Sequence, residues 1–225
     1  MKLLATDMDG TFLRDDKSYS EEFNDLYKQM LKQGIQFVIA SGNQYEALVC
    51  KFDDDIKDDL YYLCENGTKI VYRGDVIYKH CLETDDYQHA LNILKEDEEC
   101  MLVVSGVKHA YILKKFEDRL EVIKKRINPK FRVVTTGNVW FDIFYKTINK
   151  GTSLQHLLDL LGISNEEAGA FGDQMNDYEM LQTVKYGYAM ANAMPPVKEV
   201  AYQVIDSNEN DGVILKIKEI LKGNY

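Results

Sequence analysis

At 225 residues, 45% of them hydrophobic and 28% charged, the chain is long enough to bury a sizeable core and has an ordinary globular composition. Its 37 acidic against 27 basic residues give a formal net charge of −10, which argues against a nucleic-acid or anionic-membrane partner. No apolar run approaches the ~20 residues of a membrane span, and the four cysteines form no CxxC and no Cys/His zinc spacing, so reduced thiols and a cytoplasmic address are expected.

In chain order, residues 2–7 read as a strand that ends in Asp7-Met8-Asp9-Gly10-Thr11. Ser20 is placed to cap a helix that runs to about Gln33 and stops at Gly34. The continuous apolar run IQFVIAS (35–41) predicts a strand buried on both faces. A short helix near 44–52 and a strand at 60–66 follow, then a hairpin over 69–81 that turns at Arg73-Gly74-Asp75. From about 82 the texture changes to a helix at 85–97 capped by Thr84, strands at 101–106 and 110–113, a charged helix near 115–127, and strands at 131–136 and 139–145. That order suggests an α+β unit with an antiparallel sheet. After Lys150-Gly151 the alternation resumes: helix 152–161, strand 168–172, helix 175–182, strand 186–190, a helix near 196–201, a strand at 202–205 and a helix at 213–222. The simplest architecture is a parallel α/β core from residues 1–81 and 149–225, with residues 82–148 inserted between.

In such sheets ligands collect beyond the carboxyl ends of the parallel strands. Three strands end there in polar chemistry: Asp7 to Thr11, Ser41-Gly42-Asn43, and Asp173-Gln174-Met175-Asn176-Asp177, with Lys150 opening the returning helix. Clustered carboxylates without His or Cys suit Mg²⁺, which prefers hard oxygen ligands and shares its shell with phosphate. A cation between them explains how Asp7 and Asp9 tolerate each other at one strand end. A carboxylate can also serve as the nucleophile in aspartyl-phosphate chemistry.

Taken together, DxDGT at 7–11, Ser41-Gly42, Lys150-Gly151 and GDxxND at 172–177 resemble the four motifs of the haloacid dehalogenase superfamily. The segments ENGTKI (65–70), YAMANAMPPVKEVA (188–201) and SNENDGV (207–213) resemble its Cof-like sugar-phosphatase branch. The resemblance implies a Rossmann-like parallel-sheet core with an inserted α+β cap that selects the substrate. The implied activity is Mg²⁺-dependent hydrolysis of a small phosphorylated metabolite, such as a sugar phosphate, through an aspartyl-phosphate. Asp7 would be the nucleophile and a metal ligand, and Asp9 the general acid/base with its backbone carbonyl on the metal. Ser41 and Lys150 would hold the transferring phosphoryl group. Asp173 would bind the metal, Asp177 would support it, and Asn176 would orient Lys150 or phosphate. Gly10, Thr11, Gly42 and Asn43 complete the implied phosphate- and substrate-facing set.

The chain departs from the family pattern in places. Asn43 stands where many relatives carry Arg, and Phe12 where an aliphatic residue is usual. The insert is similar to the minimal caps of some archaeal phosphoglycolate phosphatases. Two alternatives share parts of this chemistry: a phosphosugar mutase on the same fold, and a phospho-accepting signalling domain. GDxxND favours the hydrolase over the mutase, while the insert and the Asp9-Gly10-Thr11 context argue against the signalling domain. Nothing in the pattern specifies an oligomeric state.

Overall fold

The apolar run ahead of Asp7 forms β1 (Leu3–Thr6), and all four residues are fully buried. The computed structural model describes residues 1–95, 102–105, 110–113, 129–136 and 140–225. β1 runs parallel to β2 (Gln36–Ala40) on one side and to β10 (Ala168–Gly172) on the other, with Leu3 opposite both Gln36 and Ala168. The sheet extends past β10 to β11 (Tyr186–Met190) and β12 (Gln203–Ile205), and past β2 to β3 (Tyr61–Cys64), all parallel. β4 (Lys69–Tyr72) and β5 (Asp75–Lys79) then add antiparallel strands, completing an eight-stranded sheet. Helices α1 (Phe23–Lys32), α2 (Tyr45–Val49), α4 (Lys150–Leu161), α5 (Tyr178–Thr183), α6 (Pro195–Val200) and α7 (Gly212–Leu221) flank it. This is a Rossmann-like, mostly parallel core. Its central strands are almost entirely apolar, as expected where both faces are covered and there is no wet side to mark with alternation.

Elements differ from the sequence expectation mainly at their ends. α1 starts at Phe23, not beside Ser20, and Glu22 at its N-cap makes no side-chain cap. Ser20 shapes the preceding turn instead: its carbonyl accepts the Phe23 N–H at 3.0 Å and its hydroxyl that of Glu22 at 3.4 Å. The face of α1 made by Phe23, Leu26, Tyr27 and Met30 is buried, at the spacing of an amphipathic helix. β3 ends at Cys64, because Glu65–Gly67 coil into a 3₁₀ turn that reverses the chain into β4. The β4–β5 hairpin turns on Arg73 and Gly74 alone, with φ of +52° and +79°, which leaves Asp75 to begin β5. Phe12 is buried, its ring centroid 4.7 Å from that of Phe23 and 5.2 Å from that of Tyr19. The aromatic residue therefore anchors the loop that follows Asp9 by its large apolar surface.

The chain divides into two compact units, one of Met1–His80 with Thr147–Tyr225 and one of Cys81–Lys146. The second contains α3 (Thr84–Lys95), the antiparallel pair β6 (Leu102–Ser105) and β7 (Ala110–Leu113), and the antiparallel pair β8 (Phe131–Thr136) and β9 (Trp140–Tyr145). Where one antiparallel sheet is expected, the described residues pair as two two-stranded sheets. Ala90, Ile93 and Phe131 form its small buried core. The charged helix expected near 115–127, and the last residues of the helix expected over 85–97, lie outside the described residues. No helix among the described residues is long and apolar enough to cross a membrane.

Candidate active site

β1 delivers Asp7 at its carboxyl end, next to β10, where the Asp7 N–H donates to the Phe171 carbonyl at 3.0 Å. β10 in turn delivers Asp173 and the loop to Asp177. α4 begins at Lys150, two residues earlier than expected, because Asn149 caps it. The Asn149 side chain accepts the Thr152 N–H at 2.8 Å, and the Thr152 hydroxyl accepts the Asn149 N–H at 3.1 Å. This reciprocal cap satisfies the helix's orphan donors and fixes its first residue, Lys150.

Lys150 is completely buried, and its ammonium donates to Asp7 Oδ1 at 2.5 Å and to Asp177 Oδ1 at 2.6 Å. Asp177 Oδ2 accepts the backbone N–H groups of Asp173 and Gln174, each at 3.0 Å. That use of its carboxylate explains a shift in the element: α5 starts at Tyr178, whereas the sequence suggests 175. Asp173 accepts from the Thr11 hydroxyl at 2.7 Å and from the Gln174 amide at 2.8 Å. Gly10 lies against it with φ of +82°, and a Cβ there would sit 2.6 Å from Asp173 Oδ2. Only glycine meets both demands.

Asp7, Asp173 and Asp177 bring one carboxylate oxygen each to within 4.8 Å of one another, and all three are buried. Burial, then the charge of Asp177, pushes the Asp7 carboxyl well above its ordinary value against the pull of Lys150. Burial likewise raises Asp173 against its hydrogen bonds from Gln174 and Thr11. For Lys150 burial acts downward, but the charges and hydrogen bonds of Asp177 and Asp7 outweigh it and hold the ammonium above its usual range. Burial is the leading cause for both carboxyls, whereas Lys150 is raised by the two carboxylates that it contacts. The donor set is all hard oxygen, and a divalent cation fits it.

The remaining expected residues lie around this cluster in different ways. Ser41 is buried, and its hydroxyl accepts the Asn43 N–H at 3.1 Å, while Gly42 is half-buried and Asn43 exposed. The Asp9 carboxylate is half-exposed and is held from outside the cluster, by the Lys17 ammonium at 2.7 Å and the Asn43 amide at 3.4 Å. The Asn176 amide donates to Asn66 Oδ1 at 3.0 Å. Thr11, expected to face phosphate, turns its hydroxyl to Asp173.

Sequence reasoning passes over Lys17, Asn192 and Asn208. The Asn192 amide donates to the Gly10 carbonyl at 2.7 Å, and that of Asn208 to the Leu13 carbonyl at 3.1 Å. Both tie down the loop carrying Asp9. Their signal lay in the segments 188–201 and 207–213, which the sequence resemblance singles out.

The model of the haloacid dehalogenase-like hydrolases matches residues 4–123 and 113–217. The 5-amino-6-(5-phospho-D-ribitylamino)uracil phosphatase YbjI of Escherichia coli is 31% identical over 263 residues, covering 99% of this chain and 97% of its own. The phosphatase of the same description from Bacillus subtilis, YcsE, is 26% identical over 238 residues, with 97% and 95% covered. Among solved structures, that of SMU.1108c from Streptococcus mutans superposes with a TM-score of 0.85 at 28% identity, over 98% of this chain and 99% of the other. The chain therefore belongs to the haloacid dehalogenase-like hydrolases, and its buried cluster of Asp7, Asp173 and Asp177 is consistent with phosphatase activity.

Proposed function

We propose that the protein is a Mg²⁺-dependent phosphomonoesterase of the Cof-like branch, working through an aspartyl-phosphate at Asp7. The observation that carries this reading is the buried Asp7 carboxylate, bonded to a buried Lys150 within a group of three carboxylates. Asp7 and Asp173 would hold the Mg²⁺, with Asp177 supporting them through the loop amides and Lys150 that it binds. The metal supplies charge neutralisation and orientation of the phosphoryl oxygens.

Asp7 attacks phosphorus in line and becomes an acyl phosphate, and the bond to the leaving oxygen breaks as Asp9 protonates that oxygen. In the second half Asp9 takes a proton from water, the water oxygen attacks phosphorus, and the carboxylate of Asp7 leaves with inorganic phosphate set free. Lys150 offsets charge on Asp7 and on the phosphoryl oxygens throughout. Ser41, Gly42 and Asn176 supply donors to those oxygens. For Asp9 to serve, its carboxylate must exchange Lys17 and Asn43 for the leaving oxygen, a rotamer change open to a half-exposed side chain.

For substrate, the second unit, Cys81–Lys146 in the structure against the 82–148 expected from sequence, is assigned the selecting role. A phosphorylated sugar or sugar alcohol is the favoured class, and 5-amino-6-(5-phospho-D-ribitylamino)uracil, named in two relatives, is the first compound to try. The test is phosphate release from a panel of sugar, sugar-alcohol and nucleoside phosphates with Mg²⁺ and with EDTA. Turnover only with Mg²⁺, together with a hydroxylamine-labile phosphoenzyme mapping to Asp7, is expected. Undiminished turnover in EDTA, or a label on another residue, would refute the mechanism.

A further inference from the structure

Between β3 and β4, three successive residues take positive φ: Glu65 at +54°, Asn66 at +54° and Gly67 at +102°. Two of the three are not glycine, an uncommon backbone state that persists only where the surroundings hold it. Those surroundings are the segments assigned above to the phosphoryl group.

The Asn66 N–H donates to the Ser41 carbonyl at 3.0 Å, and the Glu65 N–H to the Asn43 carbonyl at 3.1 Å. Asn66 Oδ1 accepts the Asn176 amide at 3.0 Å, although Asn66 itself is only 2% exposed. Gly67 abuts the start of α4. A Cβ there would lie 2.5 Å from the Asn149 carbonyl oxygen, and the Ser153 hydroxyl donates to the Gly67 carbonyl. One turn thus touches the strand end bearing Ser41, the loop bearing Asn176 and the helix that opens with Lys150.

We infer that Asn66 is a positioning residue for phosphoryl binding, aiming the Asn176 amide while its own backbone sets the height of Ser41. The inference rests on the phosphatase reading. The chemistry suits asparagine. It tolerates the left-handed conformation better than most residues, and its carbonyl oxygen accepts from a neutral amide without adding charge to a pocket already rich in carboxylates. With Oδ1 in place, one Asn176 N–H is committed to Asn66, and the other has a fixed direction to offer a phosphoryl oxygen.

The variant that isolates this role is Asn66→Gly, because glycine adopts the same backbone without strain and removes only the side chain. With p-nitrophenyl phosphate and Mg²⁺, kcat/KM should fall about tenfold, and inhibition by inorganic phosphate should weaken about tenfold, the loss of one well-aimed hydrogen bond. Asn66→Asp, which keeps an acceptor oxygen but adds charge to the carboxylate-rich pocket, should not recover that loss. Asn176→Ala should match Asn66→Gly, and the double variant should be no worse than either single one, since one residue acts through the other.

Multiplicative losses in the double variant, or an Asn66→Gly enzyme with unaltered kinetics, would overturn the inference. A damaged Asn176→Ala beside an intact Asn66→Gly would remove Asn66 alone and leave the phosphatase reading standing. Wild-type protein inactive on every phosphomonoester would overturn both. A measurement on the unaltered protein guards against misfolded variants. One Asn176 side-chain amide proton should exchange slowly with solvent by NMR, and rapid exchange of both would also overturn the inference.

Discussion

At the residue scale, Lys150 has two tasks that separate experimentally. It balances Asp7 and Asp177 where all three side chains are buried, and it would neutralise phosphoryl oxygens during transfer. Lys150→Ala should therefore lower turnover by a factor on the order of 10² or more. It should also cost about 3–5 kcal/mol of stability without metal, because two buried carboxylates lose their partner. Lys150→Arg should rescue poorly, since a planar fork does not fit where a compact ammonium sits between two oxygens. Urea unfolding in EDTA and steady-state kinetics in Mg²⁺ read the two effects apart, and wild-type values in both would return Lys150 to an incidental role.

The raised carboxyls make a second prediction at the same scale. Asp7 and Asp173 are held above the ordinary value of 3.8, so the folded, metal-free protein binds their protons more tightly than the unfolded chain. The stability they contribute is complete below that ordinary value and is lost as pH rises through the raised values. A divalent cation expels the same protons, so its affinity rises with pH. Melting temperatures with EDTA and with Mg²⁺ should therefore diverge as pH rises above the ordinary carboxylate range. A constant gap would mean that neither carboxyl carries a proton for the metal to displace.

At the scale of elements, the position of Lys150 depends on Asn149. Asn149→Ala should destabilise by about 1 kcal/mol, the usual cost of losing an N-cap. It should also lower kcat by more than that loss explains, because the first residue of α4 is the one that frays. Thermal unfolding and kcat together check this, and a stability loss with intact kcat would decouple cap from chemistry. Asn149 also shows where sequence reading stops. Its cap pairs with Thr152, whereas the recognisable signature ends in Glu or Gln, so the helix reads as starting at 152. Asp177 misleads in the opposite sense: it stands at the N-cap position of α5, which begins at Tyr178 and not at 175, yet its carboxylate caps no helix donor and binds the Asp173 and Gln174 amides and Lys150 instead. The strands are more legible, because β1, β2 and β10 are short apolar runs that give out at Asp7, Ser41 and Gly172. Contacts such as Asn66 with Asn176, or Asp9 with Lys17, join residues whose spacing carries no period, and no pattern could have announced them.

For the whole molecule, the division into two units makes the assignment of selectivity to residues 82–148 testable. Exchanging this segment for that of a relative should reorder the preferred metabolites. The rate on p-nitrophenyl phosphate should change far less, since a small aryl ester draws little on remote binding energy. An unchanged ranking would move selectivity into the core, with Asn43 the first residue to examine.

The pairing of β1 with β10 has a consequence for the order of events during synthesis. Leu3 finds its neighbour at Ala168, on the far side of the whole inserted unit. A growing chain can pair β1 with β2, and β2 with β3, early, but one edge of the fully buried β1 stays bare until β10 has been made. Contacts so distant in sequence slow folding, and a bare edge invites pairing with other chains. Refolding at high protein concentration should therefore lose yield to aggregation. Adding a separate fragment of residues 147–225 to a fragment of residues 1–80 should suppress that fragment's aggregation by supplying the missing edge. Fragments that aggregate equally apart and together would show that the late arrival of β10 is not what exposes the chain.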